Sequence, residues 1–414
     1  MSEIRVTSVL GENGSDPVGL STGFTVGPTS GTTATITHEG QASFTGIVTA
    51  TSFVPTTGQL SYRNLIINGD MTVAQRGTSS TSQGYQTVDR YKFGYNGHDE
   101  ALTQMQGSVS SGTTPYTLGF RNTFKVTNGN QTSGAGSSDY VYIDYSFEAQ
   151  DIANSGWNYN SASSFVTFSF WIKSSVAQSF KGYFITGDGT DYSYAFDTGS
   201  LSADTWTKVT KTIPGNSNLT VNNDTGRGLG FSLWPFIGTD LTNNSTSEDA
   251  WVTHSGSGRT KDATSTWWTT NDATFELTGL QLEVGPVATP FEHRGFGDEF
   301  RRCQRYYQQY TNIMSVGYVP DNTSKSYSHG FHFPVEMRAA PTLTITNTGS
   351  SGGQYVNDAE TNRNVSSLNA QSSQTSQIEY YFNLTGDLSN FRGAYAVSST
   401  STTYQTIYRL SAEL

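Results

Sequence analysis

The stretch Phe165 to Lys173 limits the fold more than any other part of the chain. Val166, Phe168, Phe170 and Ile172 fall on one parity, and Thr167, Ser169, Trp171 and Lys173 on the other. A strict period of two places successive side chains on opposite faces of a strand, so this segment reads as a strand buried on one side. Val141, Ile143, Tyr145 and Phe147 alternate in the same way, as do Tyr192, Tyr194 and Phe196. One-sided burial belongs to antiparallel sheets. Abundant Thr and Tyr, with 43 glycines to punctuate turns, extends that reading to the whole chain, which is expected to be mainly β.

At 414 residues the chain is too long for one ordinary domain. Its net charge of −11 disfavours general binding to a phosphate backbone, so no nucleic-acid partner is expected. Cys303 is the single cysteine, which rules out an intrachain disulfide framework and suits assembly in a reducing compartment. The first residues lack a basic segment leading into an apolar core, so no secretory signal is expected. No apolar run approaches the length of a membrane span, and no membrane insertion is expected.

Four regions follow from pattern and composition. Residues 1–60 are poor in apolar side chains and would bury too little surface to fold alone, which leaves partner chains as the remedy and an oligomerising arm as the expectation. A plain flexible tail is the other reading. Residues 61–295 read as an antiparallel β-sandwich. Its exit strand changes parity between Phe275 and Leu277 on one side and Leu280, Leu282 and Val284 on the other, so Gly279 is the expected bulge. Residues 296–311 read as one short linker helix with a seam of Phe296, Phe300, Cys303, Tyr307 and Tyr310 at spacings of 4, 3, 4 and 3. At that length it must dock, on its own chain or on copies of itself. Residues 312–414 form a small C-terminal β-domain, with strands at Ile378–Leu384 and Tyr404–Leu410 and a polar excursion over Ser350–Ser376.

Three sequence landmarks carry a family resemblance. Asn64 to Met71 reads NLIINGDM and resembles the opening of jelly-roll modules of the carbohydrate-binding type. Gln281 to Tyr307 reads QLEVGPVATPFEHRGFGDEFRRCQRYY, and Phe333 to Thr342 reads FPVEMRAAPT. This order resembles appendage proteins of tailed bacteriophages, marine cyanophage-like tail fibres and spikes above all, with only the middle landmark specific. The resemblance implies a homotrimeric virion subunit, assembled in the host cytoplasm, whose arm meets other virion proteins and whose β-domains meet a host cell-surface glycan. It implies neighbouring opening and exit strands, with Asn68 near Glu283, and allows a structural calcium near Asn68, Asp70 and Glu283. A head-decoration or collar protein is the second reading, and a polysaccharide-degrading spike the third.

The chemistry in the sequence is that of binding. Trp171 stands on the polar face of its strand, and Trp251, Trp267 and Trp268 lie in Ser- and Thr-rich sequence beside Asn243, Asn244, Asp249, Thr269 and Asp272. Aromatic rings stack on the C–H faces of sugars while amides and hydroxyls bond the sugar hydroxyls. These four tryptophans are therefore the candidate glycan contacts, with packing inside the sandwich as the competing reading. Asp188 and Asp191 flank a GDGTD turn that suits turn geometry better than catalysis or calcium. The histidines are scattered without zinc spacing. No GxSxG or P-loop pattern occurs. No catalytic residue, cofactor or resident metal is expected, and the chain is read as a non-enzyme.

Overall fold

The computed structural model describes residues 62–311, 315–318, 325–347, 355–357, 362–384, 393–397 and 406–414, with three short strands before them. The chain divides into two compact units, Met1–Thr56 and Thr57–Leu414. In the first, β1 (Phe24–Val26), β2 (Ala34–Ile36) and β3 (Ala42–Phe44) form an antiparallel meander. The arm expected over 1–60 rests on side chains that lie outside the described residues.

The second unit opens with a two-sheet sandwich. Its strands are β4 (Ser79–Ser80), β5 (Lys92–Asn96), β6 (Thr103–Ser108), β7 (Asn122–Thr127), β8 (Tyr140–Glu148), β9 (Phe165–Ser174), β10 (Lys181–Thr186), β11 (Tyr192–Asp197), β12 (Thr207–Pro214), β13 (Arg227–Ile237), β14 (Trp251–Thr253) and β15 (Thr274–Val284). One sheet runs β14-β11-β10-β13-β8-β5 and the other β12-β9-β15-β7-β6-β4. From β7 onward the chain passes repeatedly from sheet to sheet, a jelly-roll-like winding, with two short helices, α1 (Thr114–Thr117) and α2 (Ala149–Ala153), in its connections. The alternation read from sequence sets the core: Val166, Phe168, Phe170 and Ile172 of β9 face Val141, Ile143, Tyr145 and Phe147 of β8 across one buried cluster. Phe168 packs on Phe184 and Phe231 of the opposite sheet, with ring centroids 5.2 and 4.9 Å apart.

Gly279 is the bulge that the parity change required. Its φ is +63°, and the pairing of β15 with β9 shifts between Thr278 and Gln281. The extra residue lets Phe275, Leu277, Leu280 and Leu282 all reach the core. The opening and exit segments are neighbours, as expected. The Leu65 amide donates to the Leu282 carbonyl at 2.9 Å, and the Asn64 side chain bonds Leu280 and Leu282 at 3.1 Å each. A β-carbon on Gly69 would stand 2.2 Å from the Leu280 carbonyl oxygen, which explains the glycine of NLIINGDM. Asn68, however, meets Glu299, its amide donating at 2.6 Å, while Glu283 accepts from Thr289 and Gln281. Asp70 accepts from Thr72. Each of the three groups that the resemblance sets around a calcium is thus held by protein partners of its own.

The linker helix is shorter than its spacing predicts. α3 covers Phe296–Gln304, and the chain then enters β16 (Tyr307–Thr311). Tyr307 and Tyr310 are strand residues paired with Ser411 and Tyr408, not part of a helical seam. The ladder to the last strand takes over the backbone donors and acceptors; the Ala412 amide donates to the Tyr306 carbonyl at 2.8 Å. Of the proposed seam, Phe296 is 61 % exposed, Phe300 is partly buried, and Cys303 is enclosed with Ile67, Val73 and Tyr306. The helix docks on its own chain.

Around it the specific landmark works as a polar clamp. Arg294 bonds Glu299 at 2.7 Å and Glu292 at 3.1 Å, and Glu292 accepts the Asn64 amide at 3.0 Å. The buried Glu148 carboxylate accepts both guanidinium bonds of Arg305 at 2.7 Å and the Tyr306 hydroxyl at 2.6 Å. Tyr306 lies beneath Arg90, which pairs with Glu413 at 2.5 Å. The remaining strands are β17 (Ser315–Tyr318), β18 (Lys325–His332), β19 (Thr342–Asn347), β20 (Tyr355–Asn357), β21 (Asn362–Ser373), β22 (Gln377–Leu384), β23 (Gly393–Val397) and β24 (Thr406–Ser411). They form the sheet β16-β24-β19 and the series β17-β18-β22-β21-β20-β23, whose last strand pairs back on the first. The polar excursion expected over 350–376 instead holds β20 and β21; Ser- and Asn-rich composition hid a strand that pairs along β22, Leu368 opposite Phe382.

Candidate functional site

The four tryptophans singled out from sequence do not gather. Trp267 and Trp268 are 0 % exposed and belong to the sandwich core. Their indoles donate to the carbonyls of Thr274 at 3.0 Å and Gly134 at 2.7 Å, and Trp268 stacks on Phe236. They offer no face to a sugar, and the packing reading holds for both. Trp251 is half-buried on β14, its indole bonded to the Pro214 carbonyl at 2.7 Å and its ring tilted on Tyr194. Trp171 is half-buried on β9, between Lys208 of β12 and Thr278 of β15. Asn244 bonds Asp262, which also accepts the Thr242 hydroxyl, so these side chains brace the loop after β13.

An aromatic groove does form elsewhere, on the outer face of the β8-containing sheet. The phase of β8 that puts Val141 and Ile143 inside puts Tyr140, Tyr142 and Asp144 outside. Asp144 stands opposite Lys92 of β5 and Ser232 of β13, and Ser232 stands opposite Tyr183 of β10, so one row crosses four strands. In β13 the pairing shifts between Leu233 and Phe236. Pro235 sits in that bulge, where a residue without an amide proton is tolerated, and Leu233 and Phe236 both stay in the core while Trp234 turns outward. Tyr142 lies over Gly94, where a β-carbon would meet its ring at 2.3 Å.

The result is a groove of about 250 Å³, lined by Tyr140, Tyr142, Asp144, Tyr183, Trp234, Leu241 and Arg259. Trp234 is its floor, 2 % exposed. Tyr183 stacks on it at 6.1 Å, Tyr142 tilts on it at 5.4 Å, and Tyr140 and Tyr142 stack on each other at 5.8 Å. One wall is the turn Thr239–Leu241, held by the Arg259 amide bonding the Leu241 carbonyl at 3.0 Å. The Arg259 guanidinium lies 5.5 Å over the Trp234 ring. Three buried nitrogens here lack a hydrogen-bond partner: Trp234 Nε1, Arg259 Nε and, just beyond Tyr183, His254 Nδ1.

The electrostatics follow from enclosure. Burial pushes the Asp144 carboxyl up, although the Ser232 hydroxyl bonds it and Arg227, Lys92 and Arg259 oppose the shift. Burial and the neighbouring Asp144 raise the Tyr142 phenol to about 12. Burial and the positive Arg259 hold His254 below the usual histidine range. The groove therefore offers flat rings, hydroxyl donors, one carboxylate acceptor and cationic donors. Among the described residues no group of three or more His, Cys, Asp or Glu gathers as a metal site would need, and no helix is long and apolar enough to cross a membrane.

Sequence reasoning missed this groove. Its signal was present in Tyr140 and Tyr142, large rings on the nominally polar phase of β8. No protein-family model matches the chain, and no curated protein matches it. Among solved structures, a family 11 carbohydrate-binding module from Clostridium thermocellum, in complex with a β-1,3-1,4-mixed-linked tetrasaccharide, is 12% identical; the match covers 52% of this chain and 98% of that one, with a TM-score of 0.23. Discoidin II of Dictyostelium discoideum is 9% identical over 74% of this chain and 87% of that one, with a TM-score of 0.15. At these values neither likeness bears on ligand or activity.

Proposed function

We propose that this protein is a non-catalytic glycan-binding subunit of a tailed-phage appendage, a tail fibre or spike, that attaches the virion to a host-surface saccharide through the groove around Trp234. The observation that carries the binding role is the groove itself: stacked rings on a rigid sheet, with buried nitrogens that no protein group satisfies. An unpaired buried donor costs about 1–3 kcal/mol, and a hydroxyl-rich ligand supplies the missing partners. The place on a virion rests on the landmark from Gln281 to Tyr307, which resembles phage appendage junctions. In this reading the chain is a homotrimer, residues 1–60 contact other virion proteins, and three weak sites act together through their high effective concentration.

The test is binding of the full chain to host cells and to a glycan array, compared with Tyr142→Ala and Tyr140→Ala. Both rings are half-buried, so each variant is expected to fold with a modest loss of stability while losing about tenfold or more in binding, roughly 1.4 kcal/mol. Unchanged binding in both variants would refute the groove as the adhesive site. Light scattering of the full chain tests the trimer; a monomer at micromolar concentration would refute it.

A further inference from the structure

We infer that the groove selects an anionic saccharide, one bearing carboxylate or sulfate groups, over a neutral one; the inference rests on the glycan-binding reading above. Three cations converge on Asp144. Lys92 stands directly across from it on β5. Arg227 lies along β13 over Gly230, where a β-carbon would come within 2.5 Å of its guanidinium. Arg259 roofs the Trp234 ring. None of the three is at ion-pair distance from a carboxylate among the described residues. The adjoining rim behaves differently. There Lys181 pairs with Asp197 at 2.8 Å and Glu248 at 2.9 Å, and Lys261 pairs with Glu248 at 3.4 Å.

Within the lining Arg259 balances Asp144, and Lys92 and Arg227, acting on Asp144 from just outside it, add an excess of positive charge in a chain whose net charge is −11. The other titratable groups facing it do not cancel that excess. His254 is neutral at pH 7, with Asp191 acting on it from the neighbouring strand end, and the tyrosines are uncharged. Cations left unpaired beside apolar rings are the arrangement that recognises an anion set on a flat, hydrophobic-faced body. The rings take the sugar face, and Arg227 and Arg259 take the acidic substituent by charge-assisted hydrogen bonds. Asp144, already bonded by Ser232, is left to accept a hydroxyl.

The experiment titrates the full chain with three oligosaccharides of equal length: a neutral hexose series, its uronate counterpart and its sulfated counterpart. Either anionic probe is expected to bind about tenfold or more tightly than the neutral one, and raising salt from about 0.05 to about 0.5 M should erase most of the preference. The two anionic arms show which acid the groove prefers. Lys92→Gln with Arg227→Gln, two cations beside Asp144 that do not line the groove, should remove most of the preference while leaving neutral binding in place. Neutral binding equal to or tighter than both anionic probes, a salt-independent preference, or a preference that survives in the double variant would overturn the inference. The salt series needs no variant, so a misfolded variant does not decide the matter. Failure of all three probes to bind would overturn the glycan reading itself, whereas equal binding of all three overturns only the anionic selection.

Discussion

Trp268→Ala separates a packing tryptophan from a binding one. Trp268 is wholly enclosed, stacked at 5.3 Å on Phe236 and bonded through its indole to Gly134. Burying an aromatic side chain removes about 150–250 Å² from water, which at about 25 cal/mol per Å² corresponds to about 4–6 kcal/mol. Measured truncations of Phe or Trp to Ala in cores cost about 3–5 kcal/mol, because relaxation recovers part of the loss. Trp268→Ala is therefore expected to cost about 3–5 kcal/mol. Trp268→Phe keeps the stack but loses the hydrogen bond and some volume, at about 1–2 kcal/mol. Equilibrium urea unfolding, followed by fluorescence and far-UV signals whose transitions coincide, gives both values. Half-buried Trp171→Ala is the control and should lose less than Trp268→Ala. A loss under about 1 kcal/mol for Trp268→Ala, or intact stability with abolished glycan binding, would refute the packing assignment.

Two further perturbations test the frame. Burial alone would push the Glu148 carboxyl up, but Arg305 and Tyr306 outweigh it and hold it below its ordinary value of 4.5. A depressed native pKa contributes stability that is present above the unfolded value and lost as pH falls through the folded one. Glu148→Gln should thus cost about 2–4 kcal/mol at pH 7, somewhat below a fully buried pair because Arg305 is 29% exposed, with the difference from the parent shrinking in melts below pH 4.5. A pH-independent difference would refute the pairing. Gly279→Ala forces a non-glycine residue to φ +63° and sets a β-carbon 2.6 Å from the Phe120 ring, so it should cost about 1–3 kcal/mol or more in urea unfolding; a neutral result would mean that the bulge lies elsewhere.

What was legible in the sequence is what a single strand encodes about itself. The period of two in β8 and β9 and the parity break at Gly279 are local facts, and the structure keeps both. The landmark from Gln281 to Tyr307 was legible as a pattern but not as a mechanism. Glu292, Arg294 and Glu299 act on Asn64 and Asn68, more than 200 residues earlier in the chain, and nothing local says so. The seam spacing overstates the helix, because an aromatic every three or four residues fits a seam and fits a short helix followed by a strand equally well. Ladder bonds to β24 decide for the strand. Trp267 and Trp268 misled for a related reason: their Ser- and Thr-rich neighbours reflect loop composition, while both rings turn into the core. The groove needed register across four strands and a bulge at Pro235, neither of which a one-dimensional pattern supplies.

The outer face of the first sheet sets its charges among aromatic rings. On the second sheet, Lys173 of β9 pairs with Glu276 of β15 at 2.9 Å, while Lys125 of β7 and Lys208 of β12 stand at ion-pair distance from no carboxylate among the described residues. On the first sheet, Lys92, Arg227 and Arg259 surround Asp144 without any of them pairing with it, although Lys92 is directly opposite. Asp144 is bonded to Ser232 instead, and the rings around it are held by Gly94 and the β13 bulge rather than folded away. The rings themselves are largely enclosed, Trp234 and Tyr183 buried and Tyr140 and Tyr142 half-buried. Under the glycan-binding proposal, this setting pre-organises donors and stacking surfaces for a partner that brings its own acceptors, which lowers the entropy lost on binding. Were the proposed trimer to form, even millimolar affinity at each groove would add up to firm attachment, because linked copies raise the effective concentration of each site.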